Sequence, residues 1–157
     1  MNKDKFIEEI KAIKNQMYMV AFSILKNHED AEDAVQDALL MAYKKLYTLK
    51  KDEKFKSWMM HIVVNQAKMH IRKNSKTVCV GTVEELLQKS AEDEHEDIWE
   101  IVLSLKSELS TAVILYYAQG YTINEISKIM HIPSGTVKSR LSKARTLLKK
   151  RLENCDE

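Results

Sequence analysis

The sequence predicts an all-α fold with two small helical domains joined by an acidic, flexible linker. Glycine and proline number only 3 and 1 among 157 residues, whereas β-sandwiches and barrels need many turn residues. Apolar side chains recur at helical spacing over most of the chain but not between about 75 and 97. Two basic blocks without acids, 54–83 and 126–152, flank an acidic segment, and this asymmetry indicates nucleic acid more strongly than the net charge of +2 does.

Two helices open the first domain, which is predicted to span 1–75. Residues 3–25 carry apolar side chains at helical spacing and form the first helix. The second begins after Asn27, a good N-cap residue, and the acids of its first turn suit the positive end of the helix dipole. One face of this helix collects four side chains at i, i+3, i+4 and i+7: Asp33, Gln36, Asp37 and Leu40. By spacing alone, a solvated surface is the favoured interpretation of this face.

A third helix, from about Phe55 to Asn74, follows a short polar loop at 48–54. Phe55 and Trp58 lie beside cations and near the loop. Aromatic side chains in such a setting stack on unpaired bases while the cations hold the phosphates. The alternative is that both aromatic residues belong to the core.

Residues 76–97 are predicted to be the linker, with at most one helical turn around Val83 to Leu87. Between 83 and 100 there are eight acids against one cation, Lys89. A linker of ~22 residues extends to roughly 75 Å, which is long enough for two domains to act at separate places.

The second domain, 98–157, begins with a predicted single helix over 98–119. Its expected inward positions are Ile98, Ile101, Val102, Leu105, Leu109, Val113 and Tyr116. Gly120 then ends the helix in the position where a left-handed residue commonly closes one.

A short helix, a turn and a longer basic helix complete the chain. Thr122 and Glu125 form a capping box, so a helix begins there and runs to about Met130. After the turn HIPSG, the last helix extends from Ser134 to about Leu152. This order predicts a helix-turn-helix, whose second helix enters the DNA major groove.

The last helix separates an apolar stripe from a basic face. The stripe consists of Val137, Leu141, Ala144, Leu148 and Leu152. On the other face, Lys138, Ser139 and Lys143 can reach base edges, whereas Arg140 and Arg145 suit phosphates. The alternative, a basic surface helix without function, is disfavoured by the capping box, the turn and the acid-free face.

Several function classes find no support in the sequence. No apolar run approaches the ~18 residues of a membrane span, and the charged N-terminus lacks the apolar middle of a signal peptide, so a cytoplasmic protein is expected. Cys79 and Cys155 are far apart, so they are expected to be reduced thiols without a metal or a cofactor. There is no glycine-rich phosphate loop, HExxH motif or nucleophile–base set, so neither an enzyme nor a small-molecule substrate is expected.

Three segments resemble the sigma factors of bacterial RNA polymerase, specifically the extracytoplasmic-function (ECF) type. GYTINEISKIMHIPSGTVKSRLSKARTLLKKRL resembles their region 4, and HEDAEDAVQDALLMAYKKL is similar to regions 2.1 and 2.2. FKSWMMHIVVNQAKMHIRK resembles regions 2.3 and 2.4, with a W-x(3)-I-x(2)-N-x(6)-R spacing at Trp58, Ile62, Asn65 and Arg72. The resemblance covers nearly the whole chain and implies a three-helix region 2 and a helix-turn-helix region 4.

The resemblance implies a subunit that docks on the polymerase core and directs it to promoters. Region 2 would grip a coiled coil of the largest subunit through Asp33, Gln36, Asp37 and Leu40, and region 4 would bind the flap. The upstream (−35) promoter element would be read by Thr136, Lys138, Ser139, Arg140, Ser142, Lys143 and Arg145. The downstream (−10) element would be opened and its unpaired base captured by Lys54, Phe55, Lys56, Trp58, His61, Asn65 and Arg72. An anti-sigma factor, commonly membrane-linked, is a further partner implied by the resemblance.

The chain departs from the family pattern at several positions. In place of the Pro and Arg of an L-P-x-x-x-R motif it has Lys106 and Ser110, and Met69 stands where an Asp is usual. His131 replaces the usual glycine of the turn, and a left-handed backbone is less easily adopted by histidine. These departures affect which promoter sequence the resemblance implies, and they leave the resemblance to the sigma-factor class unchanged. A stand-alone DNA-binding regulator is the alternative, but such a protein has no need of the region 2 motifs.

Overall fold

The computed structural model describes residues 1–73 and 96–155, and every regular element within them is helical, which confirms the predicted all-α class. The helices are α1 (Lys3–Leu25), α2 (His28–Lys44), α3 (Phe55–Lys73), α4 (Glu96–Ser104), α5 (Ser107–Val113), α6 (Ile123–Met130) and α7 (Ser134–Cys155). Two 3-10 turns, Leu46–Thr48 and Asp52–Lys54, lie between α2 and α3. Most of the predicted linker, including its apolar piece, lies outside the described residues.

Helices α1, α2 and α3 form a three-helix bundle in which each helix contacts the other two. The side chains of Asn2 and Asn27 cap α1 and α2 by accepting hydrogen bonds from backbone N–H groups, as the sequence predicts for Asn27. Helix α2 approaches its neighbours closely because its inner face carries four alanines that are 0% exposed: Ala31, Ala34, Ala38 and Ala42. Edge-to-face packing of Phe6 on Phe55, with ring centroids 5.8 Å apart, joins the start of α1 to the start of α3.

The helix-turn-helix forms as the sequence predicts. Gly120 is left-handed at φ 75°, and both hydrogen bonds of the Thr122–Glu125 capping box are present at the start of α6. His131, in the place of the family's usual glycine, is also left-handed, at φ 57°. Its backbone N–H donates to the Ser127 carbonyl and thereby closes α6 before the turn into α7.

The single helix predicted over 98–119 is wrong, because this stretch contains α4, α5 and a π-helical turn, Ile114–Ala118. Leu103 and Leu105 are both buried, although residues two apart project from opposite sides of a continuous helix. The chain breaks at Lys106 (φ −54°, ψ 145°), and the break allows both leucines to enter the core. Ile98, expected inward, is 46% exposed.

The two halves of the chain are in contact, although the sequence predicts separate domains on a tether. Helix α1 packs against α5, and α3 packs against α6. The buried apolar residues of both halves belong to one continuous cluster. The lysines of α7 nevertheless remain on the surface, so packing of the two halves leaves the basic face of α7 accessible.

Removing the capping box should destabilise the helix-turn-helix. Thr122 Oγ1 accepts a hydrogen bond from the Glu125 N–H, so Thr122→Ala leaves that donor without its side-chain partner. We expect the free energy of unfolding, measured by chemical denaturation, to fall by about 1 kcal/mol. Thr146→Ala is the matched control: it removes a threonine from the exposed interior of α7, where alanine is the better helix former. Equal losses in both variants would contradict the role given to the cap.

Candidate nucleic-acid and polymerase interfaces

The exposed face of α7 is basic, and its opposite face is apolar. Lys138, Ser139, Ser142 and Lys143 are exposed, whereas Val137, Leu141 and Ala144 are at most 2% exposed. Because the two serine side chains are short, the two lysine side chains project beyond them. A helix with long cationic donors and little steric bulk beside them can enter a major groove and contact bases and phosphates.

The other residues predicted to read the upstream element are either partly buried or already hydrogen-bonded within the chain. Thr136 and Arg140 are partly buried. Arg145 is exposed, and its guanidinium donates a hydrogen bond of 3.1 Å to the Tyr117 hydroxyl, on the side of α7 that faces the π turn. The predicted apolar stripe also ends early, because Leu148 is only partly buried and Leu152 is 42% exposed.

Three of the seven residues predicted to handle the unpaired base line a cleft of about 720 Å³ between the two halves of the chain. Lys54, Trp58 and His61 line it on the side of the bundle, together with Lys50 and Lys51. Lys128, His131 and Glu125 of the helix-turn-helix line the opposite side, and Glu53 is a second acid in the lining, so four lysines face two acids. Cations around an aromatic floor are the combination that binds single-stranded nucleic acid. Lys56, Asn65 and Arg72 are exposed outside the lining of this cleft.

The assignment of Phe55 to this group is wrong. Its ring is 1% exposed and is enclosed in the core against Phe6. Trp58 is partly buried, with its ring centroid 6.0 Å from that of Phe55. Phe55 therefore supports Trp58 from below and has no face available to a base. Helical periodicity does not distinguish the two, since both aromatic residues lie near the start of the same helix.

Several polar side chains on α3 are already engaged by the other half of the chain. His61 Nδ1 lies 3.1 Å from the Ile129 carbonyl oxygen, so Nδ1 carries the proton and donates it. In the neutral ring His61 Nε2 is then an acceptor, and the Asn65 amide nitrogen lies 3.1 Å away. Lys68 Nζ donates to the Met130 carbonyl at 3.1 Å. Burial, with smaller contributions from Arg140 and Arg72, lowers the pKa of Lys68.

The predicted docking face on α2 is fully exposed. Asp33, Gln36, Asp37 and Leu40 all face outward, and Leu40 is 63% exposed. Asp37 has a partner on α3, since its Oδ2 lies 2.8 Å from His70 Nε2. A single exposed leucine amid polar side chains does not by itself mark an interaction surface, which requires a contiguous apolar patch.

Two tyrosines extend this face and were missed by sequence reasoning. Tyr43 is 54% exposed and Tyr47 is 86% exposed. Tyr43 continues the row of Gln36 and Leu40 on α2 at spacings of four and three residues, which is a signal that the sequence contains, whereas Tyr47 lies in the 3-10 turn after α2. Leu46, next to Tyr47 in the same turn, is only partly buried.

A second apolar surface is a groove of about 550 Å³ on the helix-turn-helix side. Its apolar lining comes from Ile98, Trp99, Val102, Val113, Tyr117, Leu148 and Leu152. Arg145, Lys149 and Glu153 complete it, so cations predominate over acids at its rim. The sequence does not predict this groove, because Ile98 and Leu152 were both expected to point inward.

Within residues 1–73 and 96–155, no helix is both long and apolar enough to cross a membrane. The same ranges contain no group of three or more His, Cys, Asp or Glu side chains placed to hold a metal ion. The side chains of Cys79 and Cys155 lie outside what the structure describes, so the expectation of reduced thiols stays a prediction.

Comparison with known proteins identifies both halves of the chain. The family model Sigma-70 region 2 matches residues 10–77, and the model Sigma-70, region 4 matches residues 95–148. RNA polymerase sigma factor SigV of Bacillus subtilis is 33% identical over 146 residues, covering 91% of this chain and 88% of SigV. ECF RNA polymerase sigma factor SigW of the same organism is 27% identical over 172 residues, covering 98% of this chain and 91% of SigW.

Solved structures share the fold over both halves. The sigma factor RpoE of Bartonella quintana, in complex with the anti-sigma factor NepR, superposes with a TM-score of 0.74 at 24% identity, covering 95% of this chain and 97% of RpoE. CnrH, in complex with the cytosolic domain of CnrY, gives 0.71 at 19% identity, covering 98% of this chain and 90% of that chain. The two family models match the chain in order, and SigV is one-third identical over most of its length. This chain therefore belongs to the sigma-70 family as an ECF sigma factor, which directs promoter-specific initiation of transcription by RNA polymerase.

Proposed function

We propose a division of labour among three segments of the chain. Residues 1–75 bind the polymerase core and open the downstream element, residues 76–97 link the domains, and residues 98–157 read the upstream element. The observation that carries this proposal is the separation of three surfaces: an acidic and apolar face on α2, a cation-lined aromatic cleft beside α3, and a basic face on α7. Each surface suits a different partner.

The basic face of α7 is proposed to read the upstream element. Lys138, Ser139, Ser142 and Lys143 contact the bases, while Thr136, Arg140 and Arg145 contact the phosphates at the edges of the site. A correct bidentate base contact discriminates by about 1–3 kcal/mol, and phosphate contacts add affinity that falls with salt. Two or three such base contacts are enough to select a short promoter element.

The cleft beside α3 is proposed to receive the unpaired base of the downstream element. Stacking of a base on Trp58 is worth about 1–3 kcal/mol, which is similar to the few kcal/mol lost on unstacking it from the duplex. Stacking alone therefore does not open a duplex. We assign the further stabilisation of the opened strand to two kinds of contact. His61 and Asn65 contact the edge of the unpaired base, and the phosphates are contacted by Lys54, Lys56 and Arg72.

Two surfaces are proposed to bind proteins. The α2 face, extended by Tyr43 and Tyr47, binds the coiled coil of the largest polymerase subunit, and the apolar groove beside α7 binds the flap. The sigma factor RpoE was solved with the anti-sigma factor NepR, which supports an anti-sigma partner for this chain as well. We assign the chain to the cytoplasm and expect that partner to be membrane-linked. Purified protein with core polymerase should start transcription at specific promoters, which run-off transcription over genomic fragments would map.

Reversing two charges on α7 should abolish recognition of the upstream element. Lys138→Glu with Lys143→Glu replaces attraction to DNA by repulsion, so we expect affinity for the mapped promoter to fall at least about 100-fold, measured by fluorescence anisotropy. Core polymerase binding should be retained. The matched control is Lys3→Glu with Lys11→Glu, which makes the same charge change on exposed positions of α1. A promoter affinity that drops equally in both proteins would rule out a specific role for α7.

Reversing two charges on α2 should weaken binding to core polymerase rather than recognition of the upstream element. Asp33→Lys with Asp37→Lys removes acids from the docking face and also breaks the contact with His70, so core affinity should weaken by about 10- to 100-fold. Asp4→Lys with Glu8→Lys, two exposed acids of α1, is the control. Binding of labelled core enzyme measures the effect. If the α7 and α2 double variants lose core binding to the same extent, the proposed division of labour is wrong.

A further inference from the structure

The loop before α3, residues 49–54, forms one wall of the cleft that is proposed to receive the unpaired base. Most of its side chains line the cleft, namely those of Leu49, Lys50, Lys51, Glu53 and Lys54. Asp52 is the exception, because its Oδ2 accepts a hydrogen bond of 2.9 Å from Lys5 Nζ on α1. The Met1 amino group lies 3.5 Å from Oδ1 of the same carboxylate. One side chain of the loop is therefore tied to α1 while its neighbours face the cleft.

This tie fixes the loop locally rather than stabilising the whole fold. Lys5 and Asp52 are 48% and 41% exposed, and a surface ion pair of this kind adds little to overall stability. The hydrogen bond between them raises the pKa of Lys5 and lowers that of Asp52, so it favours the charged form of both groups. Backbone hydrogen bonds at the two ends of the loop span only three residues, from Leu49 to Leu46 and from Lys54 to Lys51. The link to α1 thus decides where the wall of the cleft stands.

The next residue of α1, Phe6, supports the aromatic floor of the same cleft. Its ring is 6% exposed and packs edge-to-face on Phe55, with the centroids 5.8 Å apart. Phe55 in turn contacts Trp58, whose ring centroid lies 6.0 Å away and whose side chain lines the cleft. A binding site is effective only when the side chains that contact the ligand are held by packing from behind. Phe6 provides that packing for Trp58 through one intermediate ring.

We propose that Lys5 and Phe6, neighbours in the first turn of α1, are positioning residues for capture of the unpaired base. Lys5 fixes the loop through Asp52, and Phe6 fixes the stacking ring of Trp58 from behind. The inference rests on the proposed function of the cleft. Neither Lys5 nor Phe6 lines the cleft, so both act through other residues. Ordering a loop costs conformational entropy, and a loop that is ordered before the strand arrives binds it with a smaller loss of affinity.

An exchange of charges tests the role of Lys5. The promoter mapped with this protein carries 2-aminopurine at the unpaired position, and its fluorescence in the complex with core polymerase reports unstacking. Lys5→Glu should lower the ratio of open to closed promoter about 3- to 5-fold, because repulsion replaces attraction in a surface pair. Lys5→Glu with Asp52→Lys restores an attractive pair and should return the ratio to within about 2-fold of the wild type. Lys11→Glu, the same charge change at an exposed position of α1, should leave the ratio unchanged.

The outcomes separate this inference from the proposed function. An opening ratio that Lys5→Glu leaves unchanged, or that the charge exchange does not restore, would overturn the role of Lys5. Affinity for a duplex with only the upstream element should be equal in all variants, and a parallel loss there would also overturn it. Trp58→Ala tests the cleft itself. If opening withstands Trp58→Ala, the proposed function of the cleft fails, whereas dependence on Trp58 without dependence on Lys5 removes the positioning role alone.

The role of Phe6 can be tested without DNA. In a chain carrying Trp99→Phe, Trp58 is the single tryptophan, so quenching of its fluorescence by acrylamide reports the exposure of its ring. Phe6→Leu should raise the quenching constant at least about 1.5-fold, because Phe55 shifts into the space that the lost ring leaves. The matched control is Ile13→Val, which shortens another buried side chain of α1 that is 1% exposed. Quenching that is unchanged in Phe6→Leu, or raised equally in both variants, would overturn the role of Phe6.

Discussion

The arrangement of this molecule depends on backbone carbonyls that lack partners within their own helices. A helix that ends in the protein interior must obtain donors from elsewhere, because an unsatisfied carbonyl loses its hydrogen bond to water without replacement. Here α4 and α6 both end at the boundary between the two halves, and donors from α1 and α3 complete them. The orientation of the helix-turn-helix on the bundle is thus specified by hydrogen bonds as well as by apolar packing.

This choice of donors links structure to activity. A lysine and a histidine are useful beside nucleic acid because they are long, polar and able to donate, and the same properties make them good partners for a helix end. A sigma factor that exposed such groups permanently would present them to any polyanion. Pairing them within the chain lowers that exposure.

Local features of the sequence predicted most of the fold and part of the site. Asn27, the Thr122–Glu125 box, Gly120 and the turn at His131 act over a few residues, so the boundaries that they set were predicted from the sequence. The division between α4 and α5 was not predicted from the sequence. Leu103 and Leu105 are both buried, and the period of one continuous helix does not place both of them on its buried face. The faces of α2 and α7 were predicted because each lies on one helix. Residues far apart in sequence produce the burial of Phe55, the apolar groove and the contacts between the two halves of the chain. Helical periodicity carries no information about such long-range contacts.

The inner face of α2 has a consequence for how proteins of this kind can diversify. The inner face carries four fully buried alanines, whereas the outward side of α2 carries acids, an amide, a leucine and Tyr43. None of the four alanines is exposed, although Asp37 and Tyr43 on the outward side also contact His70 and Phe6 of the bundle. Substitutions that retune the choice of partner can therefore accumulate outside while the backbone stays where the alanines hold it. Conversely, one extra carbon atom on an inner position would displace the entire outer surface together, so affinity for a partner can be lost by a change that never touches it.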